Sequence, residues 1–172
     1  GVGQFYQRAM VYHQEKWSRQ HKALEPTEAE MAFDIPDKKV FTSYRYPYLD
    51  DQGTLYFYRS SFKRPGAFYT HTPDGKTERL QFQGITLDTY FSYSGGRLLW
   101  SEMGFDPRWG WKNYANIHMY DARTGHSTKL TSRSKIVSPD LSEAGDRIAA
   151  VQIDVQQNTN IVIIHAETGE LI

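Results

Sequence analysis

From about Gln4 to Leu24 the apolar residues Tyr6, Met10, Trp17 and Leu24, with His13, recur mostly at three- and four-residue steps. That spacing predicts one helix with a single apolar stripe. Gln7, Arg8, Gln14, Glu15, Arg19 and Gln20 take the other face, and Pro26 ends the pattern. A polar connector from Glu25 to Lys39, with Pro26 and Pro36, follows. Beyond it the apolar period changes from helical to two, the period of a strand with one buried face.

This second part repeats. Gly53, Gly95 and Gly145 mark three units spaced by 42 and 50 residues. Six residues before each glycine stand Pro47, Thr89 and Pro139; four before stand Leu49, Phe91 and Leu141. Three after stand Tyr56, Leu98 and Ile148; five after stand Tyr58, Trp100 and Ala150. Each glycine therefore sits in a tight turn between two strands, where a positive φ is cheap only for glycine. A second turn follows in each unit, at Asp74-Gly75, Thr124-Gly125 and Thr168-Gly169. The runs before it also match, with Ala67, Ile117 and Ile161 eight residues before each Gly. The unit reads strand, turn, strand, loop, strand, turn, strand, at the length of a four-stranded propeller blade. The expected fold is all-β: a partial β-propeller of about three antiparallel blades behind an N-terminal helix. An ordinary β-sandwich is the competing architecture, but sandwiches need no register match over three units.

Two segments carry a family resemblance. Ser138-Pro139-Asp140-Leu141-Ser142-Glu143-Ala144-Gly145 resembles the Ser-Pro-Asp-Gly turn of the TolB-like, WD-repeat-like propellers, and the apolar Ile148-Ala149 follows it. Tyr120-Asp121-Ala122-Arg123-Thr124-Gly125 is similar to their Tyr-x-x-Asp-x-x-Thr-Gly turn, with Leu130-Thr131 closing the blade. The first unit departs, with Asp51-Gln52-Gly53 in place of the proline turn. The resemblance runs from about Tyr44 to the C-terminus. It implies a six- or seven-bladed ring, often periplasmic or joined to an exported peptidase, and used mostly as a protein-interaction platform. It identifies the fold and not the partner.

Composition narrows the chemistry. Twenty basic and twenty acidic residues give no net charge, and so no electrostatic reason to expect nucleic acid or an acidic membrane as partner. The absence of Cys excludes disulfides, Zn–thiolate sites and Fe–S clusters. No apolar run approaches the roughly 20 residues of a membrane span. The chain opens on Gly1-Val2-Gly3 and stops at Leu171-Ile172, where a fourth strand of the third unit is expected to start, so both ends look cut.

Catalytic motifs are missing. The six histidines form no His-Glu-x-x-His, and His13 and His21 lie too far apart on the helix to share a metal. No Gly-x-Ser-x-Gly elbow exists. Ser94-Gly95-Gly96-Arg97 is a hairpin turn without a following helix, and so no phosphate cradle. The pairs Asp50/Asp51 and Asp34/Asp37 do not follow a calcium-loop pattern. No cofactor or metal is expected.

The distinctive feature is an insertion. Between first and second turn glycines the units run 22, 30 and 24 residues, so the middle one carries extra chain. That chain is Phe105-Asp106-Pro107-Arg108-Trp109-Gly110-Trp111-Lys112-Asn113-Tyr114. Trp and Arg dominate binding hot spots. The candidate binding residues are therefore Asp106, Arg108, Trp109, Trp111, Lys112 and Tyr114. The alternative is that both Trp cap the ring's apolar edge or pack under the helix. Loops joining second to third strands share a face with blade-to-blade connections, which puts Gly84-Ile85-Thr86 and Ser134-Lys135-Ile136 beside the insertion.

The expected organisation is a helix and linker over residues 1–36, then blades over about 40–83, 84–135 and 136–172. The expected function is a protein- or peptide-binding scaffold, the non-catalytic part of a larger exported protein, periplasmic or on the cell surface. The alternative is a substrate-gating accessory domain of a metallopeptidase or α/β-hydrolase whose catalytic domain lies outside this chain. Carbohydrate binding through the Trp pair is a third reading. Three units cannot close a ring, so the expectation is either a homodimer, with the stretch from Lys38 to Ser43 offered as a donor strand, or a monomer whose helix lays Tyr6, Met10 and Trp17 on an open face.

Overall fold

A computed structural model describes residues 1–25, 27–33 and 39–172. Pro26, Asp34, Pro36, Asp37 and Lys38, which figure in the sequence reading, lie outside the described residues. The chain divides into two units, Gly1–Pro36 and Asp37–Ile172. The first holds α1 (Val2–Ala23), two residues longer at its start than the periodicity predicts. No residue of α1 is buried. His13 stacks on Trp17 one turn away, with ring centroids 5.2 Å apart.

The second unit is three antiparallel sheets. The first is β1 (Thr42–Leu49), β2 (Leu55–Ser61), β3 (Arg64–His71) and β4 (Thr77–Phe82), in that order. The second repeats it with β5 (Phe91–Ser94), β6 (Arg97–Phe105), β7 (Asn113–Asp121) and β8 (His126–Lys129). The third has β9 (Ile136–Leu141), β10 (Arg147–Ile153) and β11 (Thr159–His165). In the fourth place of the third sheet, Leu171 makes one antiparallel bridge to Ile164. Gly53, Gly95 and Gly145 stand in the expected turns with φ of +78°, +55° and +73°.

The prolines six residues before two of those glycines have a structural reason. Tyr46-Pro47 and Ser138-Pro139 form bulges in β1 and β9, where the ladder to the neighbouring strand skips. Both strands are sheet edges, where a missing N–H leaves no ladder bond unmade. Tyr46 and Ser138 absorb the bulge at φ of +54° and +50°.

Two cores lie between consecutive sheets. Tyr56, Tyr58 and Phe68 of the first sheet meet Phe91, Leu98 and Trp100 of the second. Trp100 is fully buried, and its Nε1 donates to the Gln83 carbonyl at 2.9 Å. On the other side of β6, Leu99 joins Ile117 against Ile136, Ile148, Ala150 and Ile164. The two cores thus alternate along β6, one residue to each side, as the pleat requires.

The first blade departs from the register that its glycine implies. Counting from the glycines puts Tyr56 with Leu98 and Ile148. The structure instead places Tyr56 and Tyr58 on the face toward the following sheet, whereas Leu98, Trp100, Ile148 and Ala150 face the preceding one. The cause is turn length. In the first sheet Leu49 pairs with Leu55, but in the third Leu141 pairs with Ile148, one residue later. A one-residue difference moves every following side chain to the other face.

Candidate functional site

The middle insertion is built differently from a plain long loop. β6 and β7 stay paired as far as Phe105 and Asn113, so much of the extra chain lengthens the ladder. Phe105, Asn113 and Tyr114, placed in the loop by the sequence reading, are strand residues. The connection itself is only 106–112. It is closed by its own backbone, with Asp106 N–H donating to the Lys112 carbonyl at 3.1 Å and Lys112 N–H to the Trp109 carbonyl at 2.8 Å.

Asp106 organises the turn. Its Oδ1 accepts from the Arg108 and Trp109 amides at 2.9 and 3.3 Å, and its Oδ2 accepts from the Tyr114 hydroxyl at 3.0 Å. The Arg108 amide above all, helped by the Tyr114 hydroxyl, the Trp109 amide and the charge of Lys112, holds this carboxyl below the usual range against the opposing effect of desolvation. Lys112 lies over the Tyr114 ring, 5.7 Å from its centroid. Two of the six candidate residues, Asp106 and Tyr114, therefore serve the loop's own architecture.

The loop holds both indoles out in water. Trp109 is 68% exposed and Trp111 is 100% exposed, so Trp111 caps no apolar edge. Trp109, Trp111 and Lys112 line an open cleft of about 500 Å³ together with Asn113 and Lys135. Arg108 is exposed beside them. Lys135 comes from the connection between the second and third sheets. That connection is fixed under the loop by Ala115 N–H donating to the Ser134 carbonyl and by Ile153 N–H donating to the Lys135 carbonyl. On the other side, Met103 N–H donates to the Ile85 carbonyl at 2.6 Å. Both connections thus meet the base of the insertion. Lys135 and Asn113 were not among the candidate residues, although the connection holding Lys135 was placed on this face.

Other polar groups offer less. A second concavity, of about 510 Å³, lies among the β1–β2, β5–β6 and β7–β8 turns. Its tyrosines Tyr56 and Tyr93 stack on each other at 4.1 Å, and its Arg123 is paired with Asp121 at 3.2 Å. Asp50 is occupied in its own turn, accepting from the Gln52 and Thr54 amides. His118 stacks on Trp100, and burial pushes its pKa down, opposed by Glu102. Among the described residues no three His, Asp or Glu side chains gather to hold a metal ion.

Solved structures share this arrangement. TolB from Acinetobacter baumannii matches with a TM-score of 0.55 and 22% identity, over 73% of this chain and 30% of that protein. A putative TolB from Agrobacterium tumefaciens matches with a TM-score of 0.52 and 16% identity, over 72% of this chain and 43% of that one. The β-propeller domain of the Trilobed protease from Pyrococcus furiosus matches with a TM-score of 0.55 and 15% identity, over 77% and 41%. The fold is a partial TolB-like β-propeller. This propeller chain spans less than half the length of each of these structures. No family model matches the sequence, and no curated protein matches it. At these identities the likeness fixes the architecture of the propeller and leaves its partner to the chemistry of its loops.

Proposed function

We propose that this propeller is a non-catalytic scaffold that binds a protein or peptide through the Trp109–Trp111 loop, as part of a larger exported protein in the periplasm or on the cell surface. The observation that carries this reading is the fully exposed Trp111 on a loop whose backbone is tied down by Asp106. A rigid turn that presents unpacked indoles loses little side-chain and loop entropy on binding, which favours affinity. No described helix is long and apolar enough to cross a membrane.

A second reading is favoured by one observation. The Trilobed protease carries a propeller of this architecture, so the chain could equally gate or dock substrate for a peptidase or hydrolase domain elsewhere in its protein. In both readings the contact is the Trp loop.

Cells of the source organism carrying a photo-crosslinking phenylalanine analogue at position 111 test the contact. A discrete protein adduct is expected at 111 and not at exposed position 78 on β4. The double variant Trp109→Ala, Trp111→Ala should melt within about 0.5 kcal/mol of the parent. No adduct at 111, or a large loss of stability in the double variant, would return the loop to a structural role.

A further inference from the structure

The cleft between the indoles has a charge of its own. Lys112 and Lys135 both belong to its lining, and no carboxylate does. Among the described residues neither lysine is in salt-bridge contact with a carboxylate, although Asp106 attracts Lys112 at longer range. The carboxyl nearest in sequence, that of Asp106, is occupied by two amides and the Tyr114 hydroxyl. Arg108 is exposed on the same loop and Arg133 on the neighbouring connection. Two ammonium groups without a salt-bridge partner among the described residues, Lys112 lying over the Tyr114 ring, stand beside two bare indoles and make an apolar site with a cationic wall. The shape also matters. Lys135 is half-buried, and its main chain is held at both ends by the Ala115 and Ile153 ladders. Lys135 thus reaches the cleft from a fixed backbone position. The volume of about 500 Å³ suits one or two side chains and falls within the range of ligand sites.

We infer that the cleft takes a carboxylate carried next to an apolar side chain, in an acidic segment of the protein partner. The inference rests on the scaffold reading above and adds the partner's chemistry. The carboxylate lies between Lys112 and Lys135, and the neighbouring apolar side chain lies against Trp109 and Trp111. The rim cations Arg108 and Arg133 draw the acidic segment in, an attraction that salt screens.

The carboxylate could come from Asp or Glu within a chain or from a chain's C-terminus, and three peptides separate these. The first is Gly-Glu-Phe-Glu-Gly, capped at both ends. The second is its capped Gln counterpart, Gly-Gln-Phe-Gln-Gly. The third is acetyl-Gly-Gln-Gly-Gln-Phe with a free C-terminus. The readout is the indole N–H resonances of Trp109 and Trp111 during titration of the 172-residue chain. The Glu peptide or the free-acid peptide should shift both resonances, and the capped Gln peptide should need at least about tenfold more ligand. Whichever of the first two binds names the source of the carboxylate. Lys112→Gln with Lys135→Gln, which keep the aliphatic stems, should abolish the preference while leaving the melt unchanged. Equal binding of Glu and Gln peptides would overturn the inference, as would no binding by either acid. So would indoles that respond only to vesicles of anionic phospholipid, since the face would then dock on lipid. A crosslink at position 111 with no preference for carboxylates would leave the scaffold standing and sink only this proposal.

Discussion

At the scale of single residues, backbone conformation and side-chain space can be separated at two glycines. A Cβ at Gly95 or at Gly110 would meet nothing within 4 Å, but only Gly95 has a positive φ, at +55°. Gly95→Val should therefore destabilise by about 1–3 kcal/mol through backbone strain alone. Gly110→Val should change stability by no more than about 0.5 kcal/mol. Denaturant titration of both variants checks this, and a loss at Gly95 as small as that expected at Gly110 would show that the hairpin tolerates a β-branched residue. Asp106 gives a second residue-scale expectation. Its carboxyl titrates below the usual range because the Arg108 amide, the Tyr114 hydroxyl and the Trp109 amide all donate to the ionised form. A depressed folded pKa means that the order it confers is fully present above the ordinary Asp value of about 3.9 and is lost as pH falls through the lower folded value. Amide exchange at Arg108 and Trp109 should stay protected at pH 5 and open only in stronger acid. Asp106→Ala should expose both amides at every pH, whereas Asp106→Asn, whose Oδ1 can still accept from them, should keep protection and lose its pH dependence.

Among the elements, the joint between the first two sheets hangs on β6. Trp100 is 1% exposed and its indole N–H satisfies the carbonyl of Gln83, a residue that is itself buried. Trp100→Ala should cost about 3–5 kcal/mol. Trp100→Phe keeps most of the packing and should cost less, about 1–3 kcal/mol, chiefly from the orphaned carbonyl. A Phe variant as damaged as the Ala variant would mean that the ring packing that Phe retains contributes little and that the indole hydrogen bond holds the joint. Much of this architecture was legible in the sequence. Glycine offsets and period-two alternation located the paired strands, because a turn at positive φ leaves a residue signature. The face of each first-blade strand was not legible. Two turns with a glycine in the same place can close one residue apart, and the difference lies in which flanking residues pair. Tyr58 thus faces the second sheet alongside Phe68, where counting from Gly53 had matched it with Trp100. The same limit applied at the site. Trp109, Trp111 and Lys112 were readable from residue type. Lys135, 23 positions beyond Lys112, enters the cleft only through the ladder that joins the second sheet to the third.

On the scale of the whole molecule, each sheet presents one face to the sheet before it and one to the sheet after. Tyr56, Tyr58 and Phe68 are covered by the second sheet, and Leu99 and Ile117 by the third. The corresponding face of the third sheet carries Val137, Val151 and Ile161, which pair across the ladder, with Ile163 alongside Ala149. Ile161 is 82% exposed there. The opposite end differs: Phe57 and Tyr69 on the leading face of the first sheet are already buried, and Arg59 lies over the rings of Tyr44 and Tyr69. A head-to-tail joint between two copies would need that occupied face, so the expected pairing is tail to tail about a two-fold axis. Burying Ile161, Ile163 and Val151 from each copy, at no more than about 1.5–3 kcal/mol apiece since all but Ile161 are already partly covered, yields at most about 9–18 kcal/mol. Association itself costs about 4–15 kcal/mol, so the middle of those ranges leaves about 4 kcal/mol, a dissociation constant of about millimolar. Light scattering at about 1 mM and at about 10 μM should show a partly dimeric chain giving way to a monomer. Ile161→Lys with Ile163→Thr, which keeps a β-branched residue in the ladder, should be monomeric at both concentrations and melt independently of concentration. A parent chain that is already monomeric and well folded at the higher concentration would show that the third sheet tolerates its open face.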